Sequence, residues 1–174
     1  GQFAPIGTLT VGERPASRDV PPMQQRVDAT LGGVVRLLGY DLDTGGAKPG
    51  GQLKLTLYWQ AIAPVRDEYT VFVHLVADAP QPVGQGDGPP AFGMYPSTRW
   101  RPGELVRDPH EVRLPPDLAP RRYWLLVGLY RAADGARLAP RGGASGVLGR
   151  VGVWLERRTP YRAGARVDGD RIVL

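Results

Sequence analysis

The stretch Gly51-Gln-Leu-Lys-Leu-Thr-Leu-Tyr-Trp-Gln-Ala61 alternates apolar and polar side chains along most of its length. The apolar set is Leu53, Leu55, Leu57 and Trp59, and the polar set is Lys54, Thr56, Tyr58 and Gln60. A period of two residues is typical of a β-strand that packs one face on a core and turns the other toward water. The pattern therefore predicts a strand of a half-buried sheet, with Tyr58 and Gln60 at the surface.

Short strand-like segments recur on both sides of this stretch and are separated by proline and glycine. With the stretch itself over 52–62, they cover residues 8–11, 34–42, 69–77, 106–114, 122–131 and 147–155, with shorter additions near Val83, Leu138 and Ile172. No window has the apolar spacing of an amphipathic helix. The sequence predicts an all-β chain, an immunoglobulin-like antiparallel β-sandwich of about seven to nine strands.

A proline-rich approach over residues 114–120 leads into the apolar segment 122–131. In immunoglobulin-like sandwiches, a tyrosine near the start of strand F donates its hydroxyl to the backbone of the preceding loop. Tyr123 occupies that position, which predicts a tyrosine corner with 122–131 as strand F and 69–77 as strand C. The alternative is a core tyrosine whose hydroxyl reaches the edge of the sandwich.

Strands C and F would then have one core face and one unusual outer face. The core face would carry Val71, Val73, Leu75, Tyr123, Leu125, Val127 and Leu129. The outer face would carry Phe72, His74, Val76, Trp124, Leu126 and Tyr130. Because so apolar a surface usually marks an interface or a site, we predict an interface at Phe72, His74, Trp124 and Tyr130. Its cover would be a neighbouring domain, a ligand, or the connection 78–105 with Phe92, Met94, Tyr95 and Trp100.

The connection 78–105 is the best candidate for a binding site, because ordered loops longer than about 15 residues commonly carry function. Tyr95 and Trp100 are predicted to stack on sugar rings, while Arg99, Asp87 and Glu104 hydrogen-bond the hydroxyls. The alternative is structural: the two aromatic rings are pinned against the sheet, and Arg99 pairs with Asp87 or Glu104. Both interpretations are open at the level of sequence.

Composition argues against most catalytic chemistries. The chain has no cysteine and two histidines, His74 within an apolar strand and His110 in an extended run. No serine lies in a nucleophile elbow, and the acidic pairs lack the spacing of a calcium loop. We expect no enzyme activity, no catalytic residue, no metal and no cofactor. The catalytic alternative, a small hydrolase, would need His74 or His110 beside an acid and a nucleophile.

The charge balance is basic, with 22 lysine and arginine residues against 17 aspartate and glutamate residues. Nucleic-acid-binding proteins gather such residues on one face. Here the arginines are spread from Arg14 to Arg171. We therefore expect solvated rims and no nucleic-acid partner.

The chain divides into an N-terminal strand and proline-rich linker over 1–30, the sandwich over 31–156, and a C-terminal linker with a partial strand over 157–174. Residues 7–11 and 149–153 share a Gly-x-x-x-Val form, which suggests a cut from a tandem array, with 1–30 ending a preceding repeat. The sequence has neither a signal peptide nor a run of about 20 apolar residues, so membrane contact would come only through absent segments.

Several segments, in order, resemble one family. They are residues 37–42, 55–61, 69–75, 95–100 and 127–130, which read LLGYDL, LTLYWQA, YTVFVHL, YPSTRW and VGLY. They are similar to the β-sandwich region that follows the membrane part of dolichyl-phosphate-mannose-type glycosyltransferases and of related uncharacterised proteins of Chloroflexi-like bacteria. The resemblance covers residues 31–153.

The resemblance implies a non-catalytic, extracytoplasmic accessory module of a larger cell-envelope protein, because the catalytic acids of that family belong to its membrane part. The expected partners are glycan or a lipid-linked sugar, and adjacent domains of the same polypeptide. Sugar binding is an inference from that neighbourhood and not from the fold. The alternative is a structural or protein-interaction module of a tandem sandwich array.

Overall fold

The computed structural model describes residues 17–79, 81–119 and 121–141, and the strand backbone of 153–154, 166–168 and 171–173. The strands in these residues are β1 Gln25–Leu31, β2 Val35–Asp43, β3 Gln52–Ala61, β4 Tyr69–Val76, β5 Pro82–Gln85, β6 Leu105–Arg113, β7 Arg122–Arg131, β8 Pro140–Arg141, β9 Val153–Trp154, β10 Arg166–Asp168 and β11 Arg171–Val173. Two short 3-10 turns, Pro90–Gly93 and Ser97–Arg99, lie between β5 and β6. The described residues contain no α-helix.

The strands form two antiparallel sheets, ordered β6-β3-β2-β1-β8 and β5-β4-β7-β9, while β10 and β11 pair with each other. β4 pairs with β7 from Tyr69↔Arg131 to Val76↔Trp124, as strands C and F do in an immunoglobulin domain. β5 flanks β4 on its other side, and β3 pairs with β6 in the opposite sheet. The prediction of an all-β, immunoglobulin-like sandwich is confirmed.

The alternating stretch forms β3 and packs its apolar face between the sheets. Leu53, Leu55, Leu57 and Trp59 are each at most 2 % exposed. The predicted core face of β4 and β7 lies in the same cluster, with Val71, Val73, Leu75, Tyr123, Leu125, Val127 and Leu129. Full burial of one such aliphatic side chain contributes about 1.5–3 kcal/mol. These faces are therefore the main source of cohesion between the sheets.

The loop before β7 ends in a tyrosine corner. The Tyr123 hydroxyl donates to the carbonyl oxygen of Ala119 at 2.7 Å, and the residue is 2 % exposed. The bond satisfies a hydroxyl that would otherwise be buried without a partner. The predicted tyrosine corner is confirmed.

The outer face of β3 departs from the prediction at Tyr58, which is 6 % exposed. Its hydroxyl donates to Oδ2 of Asp41, on the neighbouring strand β2, at 2.6 Å. Burial, reinforced by the Asp41 carboxylate, raises the pKa of Tyr58 above its ordinary value. The expectation of a surface Tyr58 is wrong, because the hydroxyl has a carboxylate partner that lets the ring stay covered.

The segment predicted to be an N-terminal linker contains β1. Its alternation is broken by a register shift between Arg26 and Ala29, and Asp28 within the shift has a φ of 59°. A bulge of this kind hides a strand from any period-two search. The predicted strand over 8–11, the repeated Gly-x-x-x-Val forms and most of 147–155 lie outside the described residues.

Candidate functional site

Three of the predicted sugar-binding residues form a closed cluster. Trp100 is 3 % exposed in the core, and its indole N–H donates to the carbonyl oxygen of Tyr95 at 3.2 Å. The Tyr95 hydroxyl lies 2.9 Å from both carboxylate oxygens of Glu104, which is itself 3 % exposed. The Glu104 carboxylate also accepts the Arg101 backbone N–H at 2.9 Å. Trp100 therefore has no open ring face on which a sugar could stack.

The other two predicted residues lie apart from this cluster. Arg99 contributes its carbonyl oxygen to Tyr95, at 3.0 Å from the hydroxyl, and its side chain is exposed. Asp87 belongs to a different place: Oδ1 accepts the Val73 backbone N–H at 3.0 Å, and Oδ2 lies 3.1 Å from Nε2 of His74. The structure thus does not bring the five residues together in one hydrogen-bonded group.

The predicted interface on the outer face of β4 and β7 is partly covered by the chain itself. Phe72 is 5 % exposed, with the Arg137 guanidinium 4.6 Å above its ring. The ring packs on Gly128, where a Cβ atom would come within 2.5 Å of it. Trp124 and Tyr130 are half-buried, and Arg122 lies 5.6 Å from the Trp124 ring. His74 is held against Asp87.

The expectation that the aromatic side chains of 78–105 cover this outer face is wrong. Trp100 lies in the core cluster between the sheets, and Tyr95 packs against that cluster. Phe92 and Met94 are exposed, at 64 % and 76 %. The physical reason is that Arg137 already covers Phe72, while the space between the sheets has room for the Trp100 indole.

A buried polar centre was missed in the sequence. Asp108 and His110 are 0 % and 5 % exposed, on the same side of β6 as the core residues Val106 and Val112. Oδ2 of Asp108 accepts the Trp59 indole N–H at 2.9 Å and lies 2.8 Å from Nε2 of His110. The sequence contained a signal for this centre, because positions 108 and 110 of a strand lie on the same face as the apolar Val106 and Val112.

Both ring nitrogens of His110 face oxygen atoms, since Nδ1 lies 2.9 Å from the Gly86 carbonyl oxygen. Both can donate only when the ring carries two protons, and the charge then balances the Asp108 carboxylate. A histidine bonded in this way has no free nitrogen with which to act as a general base. Within the described residues, no group of acids and histidines has the arrangement of a metal site.

The polar centre also holds a strained turn. Oδ1 of Asp108 accepts the backbone N–H of Ala91 at 2.8 Å. Ala91, Phe92 and Gly93 have φ values of 51°, 56° and 80°. For the two residues with a side chain, this left-handed conformation costs about 1–2 kcal/mol each. Such strain persists only where the surroundings impose it, and here the buried carboxylate fixes the turn that projects Phe92 outward.

Phe92 stands at the rim of a groove of about 560 Å³, whose other walls are residues 85–89 and 109–111. Gly84 and Gly86 let their segment of the chain approach β6 closely. A Cβ atom at Gly84 would lie 2.8 Å from the Arg113 carbonyl oxygen, and a Cβ atom at Gly86 would lie 2.5 Å from the Glu111 carbonyl oxygen. The residues that line the groove thus include the exposed Phe92, the acidic residues Asp87 and Glu111, and Gln85. Of the predicted site residues, Asp87 is the one that lines it.

Comparison of the chain with protein-family models gave no match, and comparisons with curated proteins and with solved structures gave none either. The resemblance to the glycosyltransferase-associated sandwich therefore stays a prediction. In the part of the chain that the structure describes, no helix is long and apolar enough to cross a bilayer.

Proposed function

We propose that this chain is a non-catalytic β-sandwich module that binds a saccharide in the groove beside Phe92. We further propose that it serves as an extracytoplasmic accessory part of a larger cell-envelope protein; this part of the proposal rests on the sequence resemblance alone. The observation that carries the binding proposal is a 64 % exposed phenylalanine, on a strained turn, at the rim of a polar groove.

The chemistry of the groove suits a sugar. A pyranose ring has an apolar face of C–H groups and an edge of hydroxyl groups, so an exposed aromatic ring and nearby hydrogen-bond acceptors recognise its two aspects. Phe92 supplies the ring, while Asp87, Glu111 and Gln85 supply the polar groups. The groove volume of about 560 Å³ also falls in the usual range for small-molecule sites.

The turn supports binding because it is fixed before the ligand arrives. Asp108 anchors the Ala91 N–H, and the Met94 N–H closes the turn on the Ala91 carbonyl oxygen at 3.1 Å. A side chain on an ordered backbone loses less freedom when it contacts a ligand. Phe92 therefore replaces Tyr95 and Trp100 as the stacking residue in this proposal.

Two other functions have less support. A hydrolase would need a histidine free to activate a nucleophile, but His110 uses both ring nitrogens and His74 faces Asp87. A protein-interaction module would dock on the outer face of β4 and β7, but Arg137 covers Phe72 there. Trp124 and Tyr130, which are half-buried, remain the part of that face that a sister domain could contact.

A saccharide panel with two glycine variants tests the proposal. Isothermal titration should detect binding of at least one cell-wall disaccharide by the unchanged protein. Phe92→Gly should weaken this binding about tenfold or more, because it removes the stacking ring. Ala91→Gly is the matched control, since it relaxes the neighbouring left-handed residue and keeps the ring. The proposal fails if no saccharide binds, or if the two variants bind equally well.

A further inference from the structure

The groove carries a local charge opposite to that of the whole protein. The chain has a formal net charge of +5. Among the described residues that line the groove, neither lysine nor arginine occurs, and the acidic residues are Asp87 and Glu111. His110 also lines the groove, with its ring nitrogens against Asp108 Oδ2 and the Gly86 carbonyl oxygen. A ligand would therefore approach a basic protein and enter an acidic groove.

From this we infer that the groove selects its saccharide by charge, with an amino sugar bound most tightly, a neutral sugar less tightly and an acidic sugar least. The inference rests on the proposed function, because it concerns the ligand of the same groove. Carboxylates accept hydrogen bonds from hydroxyl or ammonium groups, whereas a sugar carboxylate beside them is repelled.

Asp87 is a fixed acceptor. Its two oxygens are held by the Val73 N–H at 3.0 Å and by His74 Nε2 at 3.1 Å, yet 28 % of the side chain stays exposed. Each carboxylate oxygen can accept a further hydrogen bond.

Glu111 is an exposed residue on the β6 side of the groove. Its neighbour across the β3–β6 ladder is Lys54. Lys54 does not line the groove, but its charge offsets part of the field of Glu111 at short range. This pairing provides a control in the opposite direction. Removing the lysine charge should sharpen the preference for an amino sugar, whereas removing either carboxylate should blunt it.

The test compares three disaccharides of different charge: a glucosamine dimer, its N-acetylated counterpart and digalacturonate. Isothermal titration in mildly acid, low-salt buffer should rank their affinities in that order. Each carboxylate should contribute about fivefold between the amino and the neutral sugar. High salt should reduce the difference, because it screens exposed charges.

Asp87→Asn and Glu111→Gln should each remove most of the roughly fivefold preference for the amino over the neutral sugar that the carboxylate contributes. The double variant should bind the three disaccharides with similar affinities, whereas Lys54→Gln should increase the preference for the amino sugar. The amide at position 87 can still accept the Val73 N–H, so the fold should be kept; the thermal unfolding midpoint checks this. If digalacturonate binds tightest, or if the ranking survives both substitutions, charge selection is wrong while sugar binding stands. Absence of binding by all three, and by the wider panel, overturns both proposals.

Discussion

Trp100 and Phe92 are aromatic side chains of the same connection, but one is buried and the other is exposed. Trp100 is 3 % exposed and Phe92 is 64 % exposed, although both lie between β5 and β6. The indole fills space in the core and donates to a carbonyl oxygen within its own loop. The phenyl ring is held outside by a left-handed turn. The difference shows that residue type alone does not decide whether an aromatic side chain of this connection is buried or exposed; the backbone conformation that carries it does.

The two regions also depend on different buried acids. Glu104 closes the region of Trp100 by accepting from Tyr95 and from the Arg101 backbone. Asp108 reaches from β6 to fix the turn that carries Phe92. In the first region the acid binds groups that are then unavailable to a ligand. In the second it binds backbone and leaves the aromatic ring free.

The largest expected effect separates Trp100 from Phe92 directly. Trp100→Ala should lower the free energy of unfolding by about 3–5 kcal/mol, because it removes a large buried ring. Phe92→Ala should change it by about 0.5 kcal/mol or less, as is usual for an exposed side chain. Urea denaturation of both variants measures the contrast. Equal losses in the free energy of unfolding would show that Phe92 contributes to the core, and the contrast between the two residues would then be wrong.

An intermediate effect separates the two acids. Asp108→Asn should cost about 1–3 kcal/mol, because the amide cannot accept every donor that the carboxylate serves. It should also shift the amide resonance of Ala91 and the ring resonances of Phe92. Glu104→Gln is the matched control, expected to perturb Tyr95 and to leave Phe92 unmoved. If Asp108→Asn left the Phe92 resonances unchanged, the anchor would have to be elsewhere.

How far the sequence predicts this molecule depends on how local each feature is. β3 and the Tyr123 corner were predictable, because alternation and a proline-rich approach are local patterns. β1 was not, because a bulge at Asp28 breaks its period. Asp108 and His110 could have been found, because in a strand they share a face with the apolar Val106 and Val112. The exposure of Phe92 could not, since it depends on a carboxylate 17 positions further along the chain that reaches Ala91.

The smallest expected effect concerns the strain itself. Ala91→Gly should raise the free energy of unfolding by about 0.5–1 kcal/mol, because glycine adopts a positive φ without the steric cost that alanine bears there. The gain is less than the full strain, since glycine loses more backbone entropy on folding. Gly88→Ala is a suitable control, because a Cβ atom there meets nothing within 4 Å. Gly88→Ala should raise the free energy of unfolding by about 0.4–1 kcal/mol, because alanine reduces the entropy of the unfolded chain. Destabilisation by Ala91→Gly would mean that the turn is not strained and that the Asp108 anchor does not force it.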